Sequence, residues 1–150
     1  MALPAPPRPL QVLLIGDEPA ACLLTAAAFE PYTHLAHLHT LREAEEAIGW
    51  LQAQAEAQEL PDVILLELFM TTGAGASILR LIHDTPSLRH LRVAVLSGSR
   101  DPRDVNAAYN EGATCYLVKS TVFAEFEDQM HTFVTYWQGI FNDLTGQDRP

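Results

Sequence analysis

Apolar residues along this chain fall in short runs separated by stretches of helical periodicity. Residues 12–16 (VLLIG) are almost wholly apolar and end at a polar loop, the pattern of a strand buried on both faces. Pro19 suits the first turn of a helix, and the alanine-rich stretch to Phe29 favours that helix, which Pro31 closes. Residues 34–39 (HLAHLH) read as a weaker strand. Thr40 followed three residues later by Glu43 forms a capping box, so the next helix is expected to start at Leu41. It should run to about Ala57, ahead of Pro61. Residues 62–68 (DVILLEL) carry the strongest strand pattern in the chain, with a glutamate embedded in it. Gly73 and Gly75 mark a loop, and Ile78, Leu79 and Ile82 a third helix. Residues 92–96 (RVAVL) are a fourth strand. Asp101-Pro102 supplies an N-cap and a proline at the first helical position, for a helix ending near Gly112. Residues 115–118 are a fifth strand, and a long last helix follows from about Phe123.

Five strand–helix alternations with no hairpin signal imply an α/β fold with a parallel sheet and helices on both faces. Right-handed crossovers leave a five-stranded doubly wound sheet as the expected topology, with its site at the carboxyl ends of the strands. The length of 150 residues suits one domain, placed at 10–144, after a proline-rich disordered lead at 1–9 and before a flexible tail at 145–150. A net charge of −10 disfavours binding to nucleic acid or to an anionic membrane. No apolar run approaches bilayer-spanning length, and the first residues lack the apolar core of a signal peptide, so a cytoplasmic protein is expected. Cys22 and Cys115 sit in apolar surroundings without metal-ligand spacing and read as small buried hydrophobes.

The strand ends carry the chemistry. The first ends at Gly16, Asp17 and Glu18, the third at Glu67, the fourth at Ser97 and Gly98, the fifth at Lys119 and Ser120. Each residue alone is the ordinary polar end of a strand; together they would place acids, a hydroxyl and a lysine on one edge. The segments VLLIGDEPA, PDVILLELFM, VAVLSGS and GATCYLVKS resemble the signature segments of response-regulator receiver domains, over residues 10–135. The resemblance implies strand order 2-1-3-4-5, a phosphoacceptor position at Glu67, an acidic pocket with Asp17 and Glu18, and switch positions at Ser97 and Tyr116. It also implies the lysine position at Lys119. Gly16 stands where the family's first acid would be, Ser120 where its proline would be, and Thr71 where many receivers have another proline. The segment AAYNEGATCYLVKSTVFAEFEDQMHTFVTYWQGI is similar to single-domain regulators associated with bacterial and cyanobacterial phytochrome kinases.

The departures change the expected chemistry. An intact receiver holds magnesium between its acids and its aspartate, an ion that wants near-octahedral oxygen ligation. Here Asp17 and Glu67 against Lys119 leave one negative charge, so magnesium would be held weakly, and no other cofactor or metal is implied. Glu67 is one methylene longer than aspartate, and in-line transfer is sensitive to displacements of about an ångström. Two readings stay open: Glu67 mimics the phosphorylated state by engaging Ser97 and Lys119, with one charge where phosphate brings nearly two, or it is a structural counter-ion to Lys119. A cis Lys119–Ser120 bond would cost about 3–4 kcal/mol without proline, so a trans bond is expected.

Other constellations carry less. His37 and His39 share a strand face while His34 points away, so these three do not converge on a metal. Ser97 lacks a nucleophile elbow, and the glycines at 73 and 75 are not followed by the lysine of a phosphate loop. In the last helix, Phe123, Phe126, Met130, Phe133, Trp137, Ile140 and Leu144 recur at alternating spacings of three and four, a heptad-like seam. Its distal part, with Phe141, is expected to meet another surface, making Met130, Phe133, Trp137, Ile140 and Phe141 a homodimer helix. The sequence thus reads as an atypical, non-enzymatic single-domain response regulator whose partner is a histidine kinase, of bacteriophytochrome type, or a phosphotransfer protein. The alternative is a phosphorylation-independent adaptor that kept the fold and the dimer surface. A third reading keeps a competent acceptor at Glu67 or a neighbouring acid.

Overall fold

The computed structural model describes residues 8–70 and 73–147, and side chains up to residue 142. The elements run β1 (Leu10–Ile15), α1 (Pro19–Phe29), a 3-10 turn (Glu30–Tyr32), β2 (Ala36–Leu41), α2 (Ala44–Ala57) and β3 (Val63–Glu67). They continue with α3 (Gly75–Asp84), β4 (Arg92–Ser97), α4 (Pro102–Asn110), β5 (Cys115–Val118) and α5 (Phe123–Gln147). All pairings are parallel, in the order β2-β1-β3-β4-β5. This is the doubly wound sheet anticipated from the alternation.

Period-two alternation on the central strands explains why their sequences are apolar throughout. Leu13 and Ile15 of β1 and Ile64 and Leu66 of β3 face one layer, with Leu51, Ile78, Leu79, Ile82 and Ala108 from α2, α3 and α4. Leu10, Val12 and Leu14, with Val63 and Leu65, face the other, built with α1 and α5. No helix among the described residues is long and apolar enough to cross a membrane.

The second strand and helix lie later than expected. Thr40 and Leu41 belong to β2, in register with Leu14 and Ile15, and the Leu41 carbonyl accepts the Gly16 N–H at 3.2 Å. The capping box does not form: α2 starts at Ala44 with Glu43 at its N-cap and no side-chain cap bond. Burying Leu41 and completing the ladder outweigh a local cap worth about 1 kcal/mol. The chain ends also differ from expectation. Arg8, assigned to a disordered lead, donates two hydrogen bonds to Asp62 at 3.0 and 2.7 Å. Residues 145–147, assigned to the tail, continue α5. Residues 1–7, Thr71, the last three positions and the Leu144 side chain lie outside what the structure describes.

The middle of the α5 seam finds its cover within the domain, while Phe123 at its start stands exposed. Phe126, Met130, Phe133 and Trp137 are all buried, Trp137 to 4% exposure, and Ile140 and Phe141 pack against them. Phe29 of α1 meets Phe133 edge-on at 6.4 Å, and the Arg92 guanidinium lies 5.9 Å from the Trp137 ring and 5.0 Å from that of Phe141. The expectation that Trp137 meets a second molecule is therefore corrected. Small residues on α1, such as Cys22 and Ala28, let α5 settle beside it, and the Arg92 guanidinium adds a cation over the two distal rings. Trp137→Ala should accordingly destabilise the monomer by about 3–5 kcal/mol. Urea unfolding at several protein concentrations checks this; a loss confined to high concentration would restore the interface role.

Candidate functional site

The strand register gathers the polar ends as the topology requires. Glu67 is the last residue of β3 and pairs with Leu96, Ser97 is the last of β4, and the Lys119 N–H donates to the Ser97 carbonyl at 2.7 Å. Gly16 follows β1 directly. Gly16, Glu67, Ser97 and Lys119 thus share the carboxyl edge of the three inner strands and β5, and Asp17 stands beside them at the head of the β1–α1 loop.

Glu67 is only 9% exposed. Its Oε1 is buried without a hydrogen-bond partner, and the Lys119 Nζ stands off at 3.7 Å, an ion-pair distance beyond hydrogen bonding. The Lys119 ammonium also lies 5.2 Å from the Phe126 ring centroid. The glutamate leans over β1: a Cβ at Gly16 would come within 3.1 Å of its Cγ and Cδ and 3.2 Å of its Oε2. Burial pushes the Glu67 carboxyl above the ordinary carboxylate range; Lys119 pulls it back, and the charges of Glu18 and Asp17 raise it further.

The switch positions are engaged with their own loop. Ser97 Oγ accepts the Ser99 N–H at 3.0 Å, and Ser99 Oγ donates to Asp104 at 2.5 Å. The Tyr116 hydroxyl donates to the Ser99 carbonyl at 3.0 Å, and its ring packs against the first core layer. Glu18 serves as the N-cap of α1, accepting the N–H groups of Ala20 and Ala21 at 3.1 and 2.6 Å. Its carboxylate is thereby committed to the helix and reaches the pocket only as charge.

The Lys119–Ser120 bond is trans, since the described residues hold no cis peptide. Composition gave no notice of what braces it. Gln129 Nε2 donates to the Val118 carbonyl at 2.7 Å, and its Oε1 accepts the Ser120 N–H at 2.9 Å. Ser120 Oγ donates to Glu125 at 2.7 Å and accepts the Val122 N–H at 3.1 Å. A proline at 120 has no N–H to offer, so the serine itself was the signal that an acceptor would be needed nearby. Cys22 was also missed here: its Sγ meets the Gly16 carbonyl at 3.4 Å. The histidines of β2 disperse, His37 to Gln11 and His39 onto the Trp50 ring.

Magnesium, which the resemblance implies, fits this edge poorly. Position 16 offers no ligand, and Glu67 fills the space a side chain there would occupy. Among the described residues no three His, Cys, Asp or Glu side chains are grouped to hold a metal.

An acid, a hydroxyl and a lysine at the carboxyl edge of a β2-β1-β3-β4-β5 sheet define a receiver. The chain belongs to the response regulator receiver domain family, whose model matches residues 12–131. It is similar to response regulator Rcp1 of Synechocystis sp., at 30% identity over 131 residues, covering 86% of this chain and 89% of that one. Among solved structures it resembles the phosphorylated cyanobacterial phytochrome response regulator RcpA, with a TM-score of 0.75 at 26% identity, over 87% of this chain and 94% of that one. Response regulator RPA3017, in red light signalling of R. palustris, gives a TM-score of 0.76 at 25% identity, over 85% and 93%.

The raised Glu67 carboxyl has a definite consequence for stability. The folded state holds this proton more tightly than the unfolded chain, so its contribution is complete below the ordinary value of 4.5. It is lost as pH rises through the folded value. Glu67→Gln should match the parent at low pH and exceed it at neutral pH by ~1 kcal/mol, net of the lost attraction to Lys119. Denaturant unfolding across a pH series tests this. A variant weaker than the parent at neutral pH would mean that the attraction to Lys119 outweighs the cost of burying the charge.

Proposed function

We propose that this chain is an atypical single-domain response regulator of two-component signalling that works by protein binding and does not take a phosphoryl group at Glu67. The seating of Glu67 carries this reading. Its carboxylate is packed down on Gly16, and position 16 supplies no acid to help hold a metal. An in-line acceptor needs an exposed oxygen aimed at the donor, and displacement by an ångström costs orders of magnitude in rate. The same seating favours a buried acid loosely paired with Lys119 over a phosphoryl mimic, because Ser97 Oγ takes the Ser99 N–H. Incubation with acetyl phosphate and magnesium should leave the intact mass unchanged. An acid- and base-labile phosphoryl adduct would overturn the reading.

The partner is a histidine kinase of phytochrome type or a phosphotransfer protein, in the cytoplasm, and the chain catalyses no reaction of its own. Similarity to the phytochrome regulator RcpA supports the first of these. The outer face of α1 supports a helical partner, since Ala20, Leu23, Leu24, Ala26 and Ala27 are exposed and uncharged, Leu23 to 72%.

A homodimer through the last helix rests on the side of the helix that faces β5 more than on its buried seam. A groove of about 600 Å³ runs between β5 and α5, lined by Cys115, Leu117, Thr132, Phe133, Tyr136 and Trp137, among others. Tyr136 stands 59% exposed at its rim. A self-complementary contact would pair two such grooves. Charges of −10 on each copy repel, so association should strengthen with salt. Sedimentation equilibrium should show a weaker dimer for Tyr136→Ala; a parent that is monomeric at high salt, or an unaffected variant, would remove the dimer from the proposal.

A further inference from the structure

Gly16 does not owe its identity to its backbone. The glycines with left-handed conformations among the described residues are Gly73, at φ 75°, and Gly112, at φ 108°. Gly16 is instead a buried residue in an ordinary conformation that follows β1, with its N–H on Leu41 and its carbonyl beside Cys22. What a side chain there would meet is Glu67, at 3.1 Å from both Cγ and Cδ and 3.2 Å from Oε2. Those distances are tighter than ordinary van der Waals contact.

We infer that Gly16 is the positioning residue for Glu67: the missing side chain at 16 lets the longer acid lie back over β1, and this holds its ion pair with Lys119 open. The volume that leaves position 16 is taken up by the extra methylene at 67, so the two departures from the receiver pattern are one coupled exchange. This deepens the reading above and rests on Glu67 being seated as described. Glu67 is held at its backbone in the β3–β4 ladder, opposite Leu96, so a Cβ at 16 displaces the carboxylate by rotation. Its Oε1 has no bond to lose, and the Lys119 Nζ is 3.7 Å away. A movement of about an ångström toward Lys119 turns the open pair into a charge-assisted hydrogen bond, at about 2.7–2.9 Å. The groups whose charge Glu67 meets are Asp17 and Glu18 from the β1–α1 loop and Lys119 from the end of β5, with the Cys22 thiol of α1 close by. Of these only Lys119 favours the ionised acid.

Gly16→Ala, Glu67→Asp and the double variant form the test, with two readouts. Carbon-detected NMR titration follows the Glu67 carboxyl in the parent and in Gly16→Ala. Its midpoint should fall in the variant as the pair closes; a midpoint unchanged or higher overturns the inference. Denaturant unfolding of all four proteins supplies the second readout. Shortening residue 67 removes one methylene of the side chain that a methyl group at position 16 would meet, leaving Cγ with the carboxylate on it free to turn away. The effect of Gly16→Ala on the unfolding equilibrium should therefore differ more than about twofold between the parent and the Glu67→Asp background. Agreement within about twofold means independent sites and overturns the coupling. If Gly16→Ala folds only when combined with Glu67→Asp, the coupling stands; if it folds in neither background, the glycine serves the backbone and the inference falls. No phosphodonor enters this experiment. Non-additivity together with phosphorylation by acetyl phosphate would therefore sink the functional reading and leave the coupling intact.

Discussion

Burial of β1 and β3 on both faces is the constraint from which the rest of the molecule follows. With helices packed above and below, neither strand has a face on which a charge can meet water. Polar chemistry is thereby expelled to the strand ends, and parallel pairing puts all the carboxyl ends on one edge. Glu67 is the case where this expulsion is incomplete. It occupies the last position of β3 and remains in the burial of the strand, so its carboxylate carries a desolvation cost that a residue one step later would avoid. Lys119 offsets part of that cost from across the sheet, at a distance too long for a hydrogen bond.

An edge of this kind can signal only if a change at β3 alters what β4 and β5 present. The loops here are largely self-sufficient. Ser97, Ser99, Asp101 and Asp104 bond among themselves from the end of β4 to the first turn of α4, and Tyr116 closes onto the same loop through the Ser99 carbonyl. These contacts do not pass through Glu67. A phosphoryl group brings close to two charges and three acceptor oxygens, enough to compete for a hydroxyl and a lysine. A single carboxylate directed at β1 competes for neither. The described hydrogen bonds of the β4–α4 loop therefore stand apart from Glu67.

Legibility in the sequence tracked how local the determining physics was. The bounds of β5, the start of α5 and the Asp101 cap of α4 were all readable, because each rests on neighbouring residues. The β2–α2 boundary was not, because Thr40 and Leu41 satisfy a local capping pattern and a ladder position at once, and the ladder partner lies far away in sequence. The aromatic seam of α5 was read correctly as apolar, but Phe126, Met130, Phe133 and Trp137 find their cover inside the domain. That cover comes from α1, from the sheet and from Arg92, a charged residue whose guanidinium lies over the distal rings. At the site, the types and positions of Gly16, Glu67 and Ser120 were plain, yet their contacts were not. Whether a glutamate leans toward β1 or β4 is a rotamer question that spacing does not encode.

Those contacts bear on whether the edge is a decayed receiver or a rebuilt one. A site that had merely lost its function would be expected to keep voids and unpaired polar groups wherever its residues changed. At position 16 the lost side chain is matched by the longer one at 67, which fills the space. At position 120 the N–H that replaces a proline is taken up by Gln129, a residue that also secures the Val118 carbonyl. Among the described residues, one buried side-chain oxygen remains without a hydrogen-bond partner, and it is Oε1 of Glu67. The changes at positions 16 and 120 are thus compensated, and the unmatched atom is the one facing the lysine. The residual mismatch there is small enough for the fold to carry.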